Sequence, residues 1–176
     1  MSADWAAVYR TSFTDLVRYL YRKVWDAERA QDLAQEAFAR VLAQERRGGS
    51  GEIENPRALV FTVAANLARD EARTVIRRRK HLALLKSDAA AAEPAERDPV
   101  DEMQRESERQ LAQDALRRLS ERDQEVLLLW DAGMSYEDIA VQTGLSPGAI
   151  GTTLSRARRR LVAAYEALEG RHAARG

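Results

Sequence analysis

Apolar residues recur at intervals of three and four along almost the whole chain, and that spacing commits it to helices. Trp5, Tyr9, Phe13, Leu16, Leu20 and Val24 line one side of a first helix. A second carries Ala30, Leu33, Ala37, Phe38, Val41 and Leu42 on its apolar face, with Asp26 placed to cap it. Gly48-Gly49-Ser50-Gly51 then breaks the pattern. Asn55-Pro56 restarts it, Asn at the N-cap and Pro at the first helical position, where its missing N–H costs nothing. That third helix is expected to run to about Lys80, with Leu59, Val63 and Leu67 facing inward. No segment alternates apolar and polar residues over a useful length, so strands are not expected.

Ala89–Ala92, Glu93-Pro94 and Asp98-Pro99 mix low complexity, proline and acid, which reads as a flexible tether over about 86–102. A helix through the alanines is the alternative. Beyond it, Leu111, Ala115, Leu116 and Leu119 form another helical face. Ser120-Glu121-Arg122-Asp123 and Ser135-Tyr136-Glu137-Asp138 each open a further helix in the manner of a capping box. The expected fold is all-α: two small helical domains, 1–85 and 103–176, joined by a flexible linker, the second containing a helix-turn-helix.

Composition removes several classes of function. The chain of 176 residues has no cysteine, so disulfides and thiolate metal sites are excluded. His81 and His172 stand apart from one another, so neither a metal site nor a cofactor is expected. No apolar run approaches the roughly 18 residues of a membrane span. Met1 to Trp5 lack the basic and apolar regions of a signal peptide, and a cytoplasmic protein without membrane insertion is expected. There is no P-loop, nucleophile elbow or Cys–His pair, so the chain does not read as an enzyme.

The net charge is zero, yet its distribution points to nucleic acid. Residues 1–80 carry 15 Lys and Arg against 11 Asp and Glu, and residues 81–104 carry 2 against 6. Two basic clusters stand out: Arg77-Arg78-Arg79-Lys80, and Arg156 with Arg158, Arg159 and Arg160. The second cluster adjoins the sharpest local pattern, Tyr136 to Ser155. A helix-turn-helix needs a small residue where its helices cross, a turn residue tolerant of positive φ, and an apolar residue inside the second helix. Ala140, Gly144 and Ile150 meet those needs in order, with Ile139, Leu145 and Leu154 completing a core. Ser146-Pro147 starts the second helix, which would present Pro147, Gly148, Gly151, Thr152 and Ser155 near its N-terminal half, the part that enters a major groove. Arg156, Arg158 and Arg159 would grip phosphate, supplying affinity and register but no sequence information. On the third helix, Asn66, Arg69, Arg73, Arg77 and Lys80 share a face opposite the apolar one and could track a DNA backbone.

Three stretches resemble a known family. Asp32-Leu33-Ala34-Gln35-Glu36-Ala37-Phe38-Ala39-Arg40-Val41-Leu42 resembles the conserved-region-two motif of extracytoplasmic-function sigma factors. The segment from Asn55-Pro56-Arg57-Ala58 to Asn66-Leu67-Ala68-Arg69-Asp70 resembles the next segment in that family. Met134-Ser135-Tyr136-Glu137-Asp138-Ile139-Ala140, with Leu154-Ser155-Arg156-Ala157-Arg158, resembles region four. The resemblance implies a sigma factor that binds core RNA polymerase and directs initiation at promoter DNA. It implies polymerase docking through Asp32, Gln35, Glu36 and Arg40. It implies reading of a minus-ten element by the 43–55 loop and by Asn66, Arg69, Arg73, Arg77 and Lys80, with a base flipped from the strand. It implies reading of a minus-thirty-five element by Ser146, Gly148, Thr152, Thr153, Ser155, Arg156, Arg158 and Arg159. An anti-sigma partner is also implied.

The chain departs from the family pattern at Leu59, where Trp is usual, at Thr62 and Ala65, where Arg is common, and at Gly151-Thr152-Thr153, where basic and polar residues are common. The rival reading is a helix-turn-helix regulator with an N-terminal sensing or dimerisation domain.

Overall fold

The computed structural model describes residues 3–48, 53–85 and 99–174, and within these the side chains outside 77–85, 99–101, 172 and 173. The described residues form helices α1 (Trp5–Val24), α2 (Ala27–Arg46), α3 (Pro56–Leu85), α4 (Pro99–Arg117), α5 (Glu121–Asp131), α6 (Tyr136–Thr143) and α7 (Pro147–Ala173), with no strand among them. The fold is all-α.

The caps stand where short polar side chains precede apolar periodicity. Asp4 accepts from Ala7 N, Asp26 from Arg29 N and Asn55 from Ala58 N, each within 3.0 Å. Ser120 and Ser135 accept from Asp123 N and Asp138 N, both at 3.1 Å. Each bond satisfies an amide that the first turn of a helix leaves without an intrahelical partner. Helix α1 ends at Trp25, held at φ 57°, and Arg109 of α4 donates to its carbonyl at 3.3 Å. Helix α3 runs past the expected end at Lys80 to Leu85. Helix α4 begins at Pro99, so residues 99–102 of the segment read as a tether are helical; residues 86–98 and the glycine-rich positions 49–52 lie outside the described residues.

Helices α1, α2 and α3 pack on one another around Leu16, Tyr19, Leu20, Leu33, Val41, Val60 and Phe61, all almost fully buried. Phe61 and Tyr19 meet at 5.5 Å between ring centroids. Burial of each such side chain contributes about 1.5–3 kcal/mol. Arg29 of α2 makes a two-pronged pair with Glu71 of α3, at 2.9 and 2.8 Å, which sets the rotation of α3 against α2. In the second half, α4, α5 and α6 all pack against α7, and the core there includes Val126, Leu129, Ile139, Ile150 and Leu154. The two groups share one contiguous apolar core, with α5 against α1.

Candidate nucleic-acid interface

Helix α6 ends at Gly144, whose φ of 71° turns the chain toward α7 without the penalty a Cβ would bring. Ala140 is 4% exposed where the two helices cross, and Ile150, Leu154 and Ala157 hold α7 against the core. The helix-turn-helix expected between Tyr136 and Ser155 is therefore present. The rotation of α7 sorts the residues expected to read DNA. Ser146, Gly148, Thr152, Ser155, Arg156, Arg158 and Arg159 are exposed.

Thr153 is the exception: it is 5% exposed and faces the core, so it is corrected from a DNA-facing residue to a buried one. Helical geometry explains this, because Thr153 lies three residues after Ile150 and four before Ala157, on their side of the helix. That spacing is present in the sequence.

The arginines of α7 divide by partner. The Arg158 guanidinium lies over the Trp130 ring of α5, 3.9 Å from its centroid. Arg160 pairs with Asp123 at 2.6 Å, and the Asp123 side chain is only 3% exposed. Arg156 and Arg159 make no ion pair among the described residues. Sequence reasoning misses the roles of Asp123 and Trp130, since Asp123 reads there only as part of a helix start and nothing local marks Trp130. It misses Tyr136 as well. Tyr136 is 42% exposed at the start of α6, and its ring lies 3.7 Å from where a Cβ on Gly151 would be.

On α2, Asp32, Gln35 and Arg40 are exposed and Glu36 half-buried, all on one face. Arg40 donates to Glu36 at 2.6 Å, one turn apart. An apolar groove lined by Trp5, Tyr9, Phe38 and Leu42 borders Gln35, and Tyr9 stacks on Phe13 at 4.6 Å beneath it.

On α3, Asn66, Arg69 and Arg73 are exposed while Leu67 is buried, as their spacing implies. Arg69 donates to Asn66 at 2.9 Å and Arg73 lies 3.8 Å from Asp70. Arg77 and Lys80 fall within α3, but their side chains lie outside the described residues. Leu59 packs half-buried against the core, in keeping with a packing role at that departure. Thr62 is exposed and its hydroxyl donates back to Ala58 O at 2.9 Å. No described helix is long and apolar enough to cross a membrane.

Residues 8–80 match the family model of sigma-70 region 2, and residues 109–161 that of sigma-70 region 4. The chain is 34% identical over 139 residues to the ECF RNA polymerase sigma factor EcfG of Rhodopseudomonas palustris, covering 78% of this chain and 72% of EcfG. It is 32% identical over 157 residues to the ECF RNA polymerase sigma factor SigL of Mycobacterium tuberculosis, covering 88% and 85%. It spans about half the length of other relatives, 54% of SigI from Mycobacterium tuberculosis and 56% of BldN from Streptomyces coelicolor. The fold is similar to that of the sigma factor RpoE in its complex with the anti-sigma factor NepR from Bartonella quintana, with a TM-score of 0.65 at 24% identity over 93% of this chain and 97% of that one. With regions 2 and 4 matched in order and relatives of this identity over most of their length, the chain belongs to the ECF RNA polymerase sigma factors.

Proposed function

We propose that this chain binds core RNA polymerase and directs promoter-specific initiation of transcription. In this reading residues 1–85 form the unit that docks on polymerase and reads and melts the minus-ten element. Residues 103–176 form the unit that reads the minus-thirty-five element, and the segment around 86–102 links the two. The observation that carries the reading is one molecule displaying both surfaces: a polar face of α2 with Asp32, Gln35, Glu36 and Arg40, and a helix-turn-helix whose second helix exposes Thr152, Ser155, Arg156 and Arg159.

Asp32, Gln35, Glu36 and Arg40 would meet the polymerase. Asn66, Arg69 and Arg73, with Arg77 and Lys80, would follow the displaced single strand, where bases stack or flip out and cations hold the backbone. Ser146, Gly148, Thr152 and Ser155 would approach base edges, while Arg156, Arg158 and Arg159 supply phosphate affinity. Nucleotide addition would belong to the polymerase, so this chain itself would not be an enzyme. The reading places the protein in the cytoplasm and makes an anti-sigma factor its expected inhibitor.

The test is run-off transcription with purified core polymerase on a genomic promoter library. Promoter-selective transcripts that require both core and this chain support the reading. Tight, core-independent binding of duplex DNA by dimers, with no transcript, would favour a helix-turn-helix regulator instead.

A further inference from the structure

Residues 146–155, the stretch of α7 that would lie nearest a major groove, hold no lysine or arginine. The first positive charges along α7 are those of Arg156, Arg158 and Arg159, and the way each is held decides what it can do. Arg156 and Arg159 are exposed and make no ion pair among the described residues, so each loses rotamer freedom when it takes hold of a phosphate. Arg160 already donates an N–H to Asp123 at 2.6 Å. Arg158 differs from all three, because an aromatic ring holds it.

The guanidinium carbon of Arg158 lies 3.9 Å from the centroid of the Trp130 ring. That is ordinary contact distance for two flat groups stacked face to face; an N–H aimed into the ring would hold the carbon further off. Stacking uses the face of the guanidinium. Its five N–H groups lie at the edge, where they stay able to donate. The stem of an arginine is long and loses rotamer freedom when it is fixed, so a ring that orders it beforehand lowers the cost of the next contact.

Trp130 is placed for that task. It stands in the last turn of α5 and is 42% exposed, whereas Val126 and Leu129 are fully buried and anchor the same helix. Arg158 follows Gly151 by seven residues, about two turns, so both lie along one flank of α7. Tyr136 stands beside Gly151 on that flank, and Trp130 stands beside Arg158.

We infer that Trp130 is a positioning residue for DNA binding: its ring holds the Arg158 guanidinium by the face, with the N–H edge presented to a phosphate of the DNA that α7 meets. The inference rests on the reading of α7 as a DNA-facing helix given above. Trp130 acts through Arg158 and makes no base contact of its own.

A double-mutant cycle tests this. Trp130 also lines an apolar groove with Leu127, Leu161 and Val162, so the variant must remove the aromatic face and keep apolar bulk. Trp130→Leu does so, Trp130→Phe keeps a ring, and Val162→Ala alters the groove without touching the stack. Affinity for a fluorescent promoter duplex is measured against salt, with core polymerase and without it. Trp130→Leu should weaken binding about threefold, equivalent to about 0.7 kcal/mol. In an Arg158→Ala background it should weaken binding no further and leave the salt slope where Arg158→Ala put it. Trp130→Phe should retain most of the affinity, and Val162→Ala all of it. Equal weakening by Trp130→Leu in both backgrounds would show a structural role and overturn the inference. Unchanged or tighter binding by Trp130→Leu alone also overturns it. Core-dependent run-off by the unaltered chain is scored in parallel. Its absence, with duplex binding that needs no core, sinks the sigma-factor reading while the cycle is still read on that binding.

Discussion

The Arg158 guanidinium lies 3.9 Å from the centroid of the Trp130 ring, which ties the middle of α7 to the end of α5. Trp130 is 42% exposed, so the contact sits at the surface, where such a pair contributes about 0.5–1 kcal/mol. Arg158→Ala should therefore lower stability by about that amount and alter Trp130 fluorescence, besides lowering the salt slope through its own phosphate contact. Arg156→Ala should leave melting unchanged and reduce the slope of DNA affinity against salt by about one unit, the release expected from one lost phosphate contact. Thermal melts and salt titrations with polymerase-bound protein separate the two arginines. A loss of stability for Arg156→Ala but none for Arg158→Ala would reverse the assignment.

The Asp123–Arg160 pair should respond unequally to removal of its two members. Asp123 is buried, whereas the Arg160 side chain is 57% exposed. Asp123→Ala leaves a cation that water can solvate and should cost about 0.5–1.5 kcal/mol. Arg160→Ala leaves a buried carboxylate without its ion-pair partner and should cost more, about 1–3 kcal/mol. Urea unfolding at neutral pH gives both values; equal costs would mean that water reaches Asp123 freely.

Adjacent threonines on α7 should behave differently in promoter selection. Thr152 is exposed and Thr153 buried. Thr152→Ala should change which upstream element is preferred, through lost hydroxyl or methyl contacts to base edges. Thr153→Val should leave that preference untouched. Selection from a randomised upstream element, run with core polymerase, decides it; a shift caused by Thr153→Val alone would contradict the observed rotation of α7.

On α2, the double variant Asp32→Lys, Glu36→Lys should abolish binding to core polymerase while helicity and melting stay nearly as before. Asp32 is exposed, and the Glu36–Arg40 contact is an ordinary one-turn pair contributing about 0.3–0.5 kcal/mol. Circular dichroism and a pull-down with core measure both properties. Undiminished capture of core would remove this face from the docking surface.

Much of the fold is legible in the sequence because its signals are local. A cap acts across three residues and an apolar stripe repeats every three or four, so Asp26, Asn55-Pro56, Ser120, Ser135 and Gly144 mark helix boundaries without any knowledge of packing. The same periodicity places Asn66 and Arg69 opposite Leu67, and carried one turn further along α7 it turns Thr153 inward. Partners distant in sequence carry no such signal. Asp123 and Arg160 are 37 residues apart, and Tyr19 and Glu125 are 106 apart. Only the packing of α5 against α7 and α1 brings them together. The sequence alone determined that the chain is helical, that it holds a helix-turn-helix, and which faces are basic. Tertiary structure decided which arginines of α7 are engaged by Trp130 and Asp123, and that Arg69 of α3 lines a cleft shared with α5 and α6. The reason is that burial and ion pairing depend on distances set by the packed helices, not by spacing along the chain.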